Sequence, residues 1–131
     1  MKIQIPQINL LLAWVGILLG FGSGFWMGLN FQKENWLGGY ASWKRRLYRL
    51  GHISIFGLAL MYLAFYFTVK NFSQFSRGVE IASMGFSLGA ISMPICCAIM
   101  AHQPKWRAVF LVPVLSLITA GTMTLLEIVK L

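Results

Sequence analysis

Four long apolar runs separated by short polar segments dominate the pattern of this 131-residue chain. The runs cover residues 8–31, 51–69, 79–101 and 108–129, and none has a charged residue in its middle. A helix of about 20 mostly apolar residues crosses a bilayer core of roughly 30 Å, and it bonds its own backbone groups there. The runs lack the alternation of membrane β-strands. The pattern predicts an all-α, integral membrane four-helix bundle, with residues 1–131 in a single transmembrane domain.

The first connection is longer than the other two. Residues 70–78 and 102–107 form short links, so the second, third and fourth spans are expected to be sequential neighbours. Within residues 32–50, Trp43, Leu47 and Leu50 recur on one helical face, and basic residues occupy the rest. This pattern predicts a short amphipathic helix that lies in the headgroup layer between the first and second spans and leads into the second.

Composition supports lipid as the surrounding medium. Hydrophobic residues make up 58% of the chain and charged residues 11%, against roughly a quarter charged in soluble domains. The net charge is +8, and the basic residues that produce it lie outside the middles of the apolar runs. Anionic lipid headgroups or an acidic partner are therefore more suitable counterparts than nucleic acid.

The basic residues are distributed unequally between the two membrane faces. One face has four: Lys2, Lys70, Arg77 and Lys130. The other has seven: Lys33, Lys44, Arg45, Arg46, Arg49, Lys105 and Arg107. The richer face is expected to be cytoplasmic, which would place both termini outside a bacterial inner membrane.

A row of glycines marks the first span: Gly16, Gly20, Gly24 and Gly28 stand four residues apart. Small residues at this spacing let a second helix approach closely. The row is a candidate surface for docking another subunit, or for oligomerising into a small channel or carrier. The alternative is packing against the second or fourth span of the same chain.

Two histidines are expected at the basic face, His52 at the start of the second span and His102 at the end of the third. Two imidazoles from facing helices can ligate haem iron, and cations can bind the propionates. The candidate cofactor-binding set is therefore His52, His102, Arg46, Arg49, Lys105 and Arg107, with haem b as the possible cofactor. A quinone headgroup would use similar groups, and ordinary hydrogen bonding at the interface is the simplest alternative.

Prolines and sulfur-containing residues fall close to these histidines. Pro94 and Pro113 each remove a helical hydrogen bond, at the carbonyls of Ala90 and Val109, and are expected to kink their spans at similar depth. Such kinks would open a pocket below the histidines or only shape the bundle. Cys96 and Cys97 lie in a Met-Pro-Ile-Cys-Cys stretch that could hold Cu(I) but more often only packs.

Three motifs carry a resemblance over roughly residues 43–118: the run RLYRLGHI at 46–53, Met93-Pro94, and Val112-Pro113-Val114. Together they resemble a group of small bacterial four-span integral membrane proteins. The resemblance implies no activity, although it suggests that the arginine and histidine residues before the second span are a family feature. In size and charge the chain is also similar to small anchor subunits of membrane redox complexes, an analogy of architecture alone.

These features favour a non-catalytic accessory or anchor subunit of a larger membrane complex. It would dock through the glycine-row helix and through its basic cytoplasmic face, with lipids and other membrane subunits as partners. The alternatives are an electron-transfer subunit that binds haem b or a quinone, and a small oligomeric channel or carrier. No mid-span acid, catalytic triad or phosphate loop stands in the sequence, so an enzyme acting alone is not expected.

Overall fold

The computed structural model describes residues 4–131, and the four predicted spans are helices. They are α1 (Ile5–Asn30), α2 (Trp43–Val69), α3 (Arg77–His102) and α4 (Leu111–Val129). Short 3-10 helices precede α2 at Trp36–Gly38 and lead into α4 at Pro104–Phe110. The described part of the chain contains no strand. The predicted all-α membrane bundle is confirmed.

The amphipathic segment is helical as predicted, but it is continuous with the second span. Ser42 caps the helix by accepting a hydrogen bond from the Arg45 backbone N–H, and α2 then runs unbroken to Val69. Leu47 is buried against α3, and the Trp43 indole N–H donates to the Met100 carbonyl at 3.1 Å. Part of the apolar face therefore meets α3 rather than the headgroup layer. The helix is continuous because extending a formed helix costs less than starting a new one.

Each helix packs mainly against its neighbours in the chain, in the order α1, α2, α3, α4. The outer helices bury narrow stripes at a seven-residue spacing. The stripe of α1 includes Pro6, Ala13, Gly20 and Met27, and that of α4 is Pro113, Ala120 and Glu127. A seven-residue repeat produces left-handed crossings near 20°. Most of the remaining surface of α4 is apolar and exposed, as expected of a helix that faces lipid.

The main core lies at the end of the bundle opposite the basic segments. Phe65 of α2 and Phe86 of α3 pack with ring centroids 5.3 Å apart. Asn9 is fully buried there, and its Nδ2 donates to Ser83 Oγ at 2.8 Å. This hydrogen bond joins α1 directly to α3 and holds that end of the bundle together.

The two prolines occupy different positions from those expected for paired kinks. Pro94 stands inside α3 as predicted. Pro113 stands in the first turn of α4, where a missing N–H costs little. The carbonyl of Val109, four residues before Pro113, accepts a hydrogen bond from the Cys96 thiol at 3.3 Å.

Candidate functional site

The glycine row lies largely at the seam between α1 and α2. A Cβ at Gly16 would be 3.0 Å from Ala59 Cβ, one at Gly20 would be 2.8 Å from the Phe56 ring, and one at Gly24 would be 2.9 Å from His52 Cε1. A Cβ at Gly28 would meet nothing within 4 Å.

Of the two alternatives for the row, this arrangement favours packing within the chain over a docking or channel-forming surface, because α2 of the same chain fills most of it. A four-residue step turns about 40° around a helix, whereas a seven-residue step returns to nearly the same face. The row therefore turns gradually away from the contact between α1 and α2, and Gly28 at its end no longer faces α2.

His52 is held at this seam by α1. Its Nδ1 lies 2.8 Å from Ser23 Oγ, and Ser23 Oγ in turn donates to the Gly20 carbonyl at 3.0 Å. The edge of the imidazole meets the Phe56 ring, with centroids 5.6 Å apart. The glycine at position 24 leaves the space that the ring occupies. His52 is half-buried and contacts Ser23 of α1. No pattern in the sequence pairs these two residues.

His102 is exposed and has a different partner. Its Nε2 lies 2.9 Å from the Tyr48 hydroxyl, and the two rings meet edge to face at 5.9 Å between centroids. It lines a surface depression with Ile99, Gln103 and Trp106, which His52 does not line.

The two histidines therefore do not fit a haem held between them. Bis-histidine ligation needs both imidazoles in one cavity, each with a nitrogen directed at the iron. Here the rings line separate pockets, and the Nε2 of His102 is already hydrogen-bonded to Tyr48. In the described residues no three His, Cys, Asp or Glu side chains converge on a metal-sized site either.

Arg45 is the one basic residue of this end that is buried. Its side chain is 1% exposed, and its guanidinium carbon lies 4.2 Å from the Tyr40 ring centroid, 5.1 Å from that of Phe31 and 5.2 Å from that of Trp36. It donates to the backbone carbonyls of Phe31 and Lys33. Aromatic rings and backbone carbonyls thus surround the guanidinium in place of an acidic side chain. Through these contacts Arg45 links the connection after α1 to the first turn of α2.

The other six basic residues of this end are exposed: Lys33, Lys44, Arg46, Arg49, Lys105 and Arg107. We call these six residues the basic end. Glu34 is the acidic residue nearest to them in the chain, and the ion pair that the described residues form, Lys130 with Glu127, lies at the opposite end. Arg46, Arg49, Lys105 and Arg107 line neither the pocket of His52 nor that of His102, so the structure does not gather them around a shared cofactor. Their charges are directed outward.

A cavity of about 220 Å³ lies beside His52 where α1, α2 and α3 meet. Ser23, Trp26, Tyr48, His52, Pro94 and Cys97 are among the residues that line it. A second cavity, of about 260 Å³, lies further along the same helices, away from the basic residues, and shares Ile55 and Pro94 with the first. It opens to the outer surface of the bundle at the exposed Leu19 and Ile91. The sequence placed Pro94 below the histidines, but the contribution of Ser23 and the exclusion of His102 depend on how the helices pack.

Comparison of the chain with protein-family models, with curated proteins and with solved structures finds no match. Its function has to be inferred from the basic end and the cavities. By fold, the chain is an integral membrane protein with four helices long and apolar enough to span the bilayer.

Proposed function

We propose that the protein is a non-catalytic accessory subunit that anchors an acidic soluble protein to the membrane through its basic end. The observation that carries the proposal is the presence of six exposed cations with no ion-pair partner among the described residues. An acidic surface would satisfy these charges and would be steered toward them.

A fixed geometry favours a protein partner over lipid headgroups. The six cations come from three separate segments of the chain, and buried Arg45 holds one of these, the connection after α1, in place. Ser42 Oγ also donates to the Leu37 carbonyl in the same connection. Fluid anionic lipids require only positive charge near the membrane, whereas a protein partner requires charges in a defined arrangement.

We also propose that the basic end faces the cytoplasm of a bacterial inner membrane, with both chain termini on the other side. The excess of Lys and Arg in the connection after α1, in the first two turns of α2 and between α3 and α4 supports this orientation. Gln32→Cys and Asn71→Cys lie in exposed positions at opposite ends, and native Cys96 and Cys97 are buried. An impermeant thiol reagent applied to intact cells should label Asn71→Cys and spare Gln32→Cys. The reverse labelling would overturn the orientation.

The anchoring function is tested by purification in mild detergent with two matched variants. Arg46→Gln/Arg49→Gln removes two charges from the basic end, and Lys70→Gln/Arg77→Gln removes two exposed charges from the opposite end. We expect a soluble protein to be lost from the first variant and from the wild type at high salt, but retained by the second. Cross-links from Lys44 and Lys105 should map to an acidic surface of that protein.

Two outcomes would contradict the proposal. One is equal retention of the associated protein by both variants, since the basic end would then contribute nothing specific. The other is native mass spectrometry that finds only anionic phospholipid released by Arg46→Gln/Arg49→Gln. That result would assign the basic end to lipid binding.

A further inference from the structure

The hydrogen bonds around His52 determine what its free nitrogen can bind. Ser23 has one hydroxyl proton, and Oγ donates it to the Gly20 carbonyl at 3.0 Å. Ser23 Oγ lies 2.8 Å from His52 Nδ1, and with its own proton directed at Gly20 it can only accept there. On this basis we assign the imidazole proton to Nδ1. In the neutral ring, Nε2 is then a hydrogen-bond acceptor. Nε2 has no hydrogen-bond partner within residues 4–131.

The surroundings of His52 suit a planar, mostly apolar ligand. The cavity beside it is lined by aromatic side chains, and Trp26 and Tyr48 lie 6.1 Å apart between ring centroids on one wall. Ser23 and His52 supply polar atoms, and the other walls include Met27 and Ile55. Few polar groups within an apolar cavity are typical of a site that orients a small molecule.

The second cavity provides space for an apolar tail. Its walls include Leu12, Val15, Leu19 and Leu58, and it adjoins the first cavity at Ile55 and Pro94. Taken together, the two volumes fall within the range of about 300–1,000 Å³ that is usual for small-molecule sites. Neither cavity alone reaches that range.

We propose that this pair of cavities binds a lipid-soluble quinol, with one ring hydroxyl donating to His52 Nε2 and the isoprenoid tail in the second cavity. An acceptor nitrogen selects the reduced quinol, because the carbonyl oxygens of the oxidised quinone have no proton to donate. The aromatic walls favour a flat ring over the flexible glycerol of a lipid. The proposal concerns binding alone and does not depend on the anchoring function of the basic end.

The proposal is tested by measuring the affinity of the detergent-purified protein for a short-tail ubiquinol, for the same molecule as ubiquinone under air, and for monoolein. We expect the quinol to bind about five- to tenfold more tightly than the quinone, the size of one hydrogen bond. His52→Phe keeps an aromatic ring but removes the acceptor, so it should abolish that preference. Ile91→Trp should block the tail cavity, whereas Leu125→Trp, on an exposed position of α4, should leave binding unchanged.

Ser23→Ala provides a second test that leaves His52 in place. Without the serine oxygen, Nδ1 loses its acceptor and the imidazole proton is free to move to Nε2. The preference for quinol should then weaken or reverse toward quinone. Equal affinity for quinol and quinone in the wild type would overturn the proposal. So would monoolein binding as tightly as the quinol, which would make the cavities an ordinary lipid seam, or an unchanged preference in a folded His52→Phe protein.

Discussion

The thiol of Cys96 lies 3.3 Å from the backbone carbonyl of Val109, the carbonyl that Pro113 cannot bond. The contact joins α3 to the 3-10 helix before α4, at a carbonyl that accepts from the Leu111 N–H but lacks the donor four residues on that Pro113 removes. Buried Cys96 thus donates to a backbone carbonyl of the segment that precedes α4.

The first prediction concerns this thiol. Cys96→Ala should lower the free energy of unfolding by about 0.5–1 kcal/mol, in the range of a modest intramolecular hydrogen bond. In a Pro113→Ala background the new N–H can bond the Val109 carbonyl, so the cost of Cys96→Ala should shrink. Thermal unfolding of the four proteins of this double-mutant cycle measures the difference. Equal costs in both backgrounds would show that the thiol does not serve the freed carbonyl.

The second prediction concerns Arg45, which is buried among Phe31, Trp36 and Tyr40. Arg45→Met should lower stability by about 2–4 kcal/mol, because desolvated cation–π contacts and charge-assisted hydrogen bonds are lost together. It should also expose the bonds after Trp36 and Tyr40 to chymotrypsin. Arg45→Lys should recover only part of the stability, since an ammonium lacks the planar donor fork.

The exposed neighbour Arg46 supplies the control for Arg45. Arg46→Met and Arg46→Lys should each change stability by no more than about 0.5 kcal/mol, as is usual for surface positions. If Arg45→Lys proves as stable as the wild type and as resistant to chymotrypsin, positive charge rather than guanidinium geometry holds the connection.

The third prediction separates the glycines of α1. Gly20→Leu should destabilise the bundle by about 1–3 kcal/mol, because its side chain would enter the space of the Phe56 ring. Gly28→Leu should be tolerated, since a Cβ there meets nothing within 4 Å. Thermal unfolding in detergent provides the comparison. A Gly28→Leu protein as damaged as Gly20→Leu would mean that the end of the row packs against a further surface.

The fourth prediction concerns the link between α1 and α3. Asn9→Leu and Ser83→Ala should couple by about 0.6–1.7 kcal/mol in a double-mutant cycle, the range found for hydrogen bonds between membrane helices. Ser87→Ala is the matched control, because Ser87 Oγ donates to the Ser83 carbonyl within its own helix. Coupling of Asn9 to Ser87 as strong as its coupling to Ser83 would argue against a direct bond.

The four spans could be predicted from the sequence because a span is recognised by the mean hydropathy and the length of one continuous segment, without reference to its neighbours. The same patterns predicted the connections and the helical character of residues 43–50, as a short helix in the headgroup layer that leads into the second span rather than as the first turns of α2. A helix, however, continues wherever its backbone bonds can continue. The side chains change from amphipathic to apolar near Gly51, but the backbone of α2 continues as one helix.

The partners of individual side chains could not be predicted in this way. His52 and His102 share a membrane face in the sequence, yet one contacts Ser23 and the other Tyr48. Arg45 is one of four basic residues within residues 44–49, and its burial depends on where the connection after α1 folds back.

Hydropathy, length and the distribution of Lys and Arg were enough to predict a four-span membrane protein with more positive charge at one end, because these properties depend on local composition. That α2 fills most of the glycine row, that the histidines line different pockets and that His52 contacts Ser23 follow from helix packing. Each of these outcomes depends on the register between two helices, and a shift of one residue turns a side chain by about 100°. The register between two helices cannot be read from the periodicity of one helix alone.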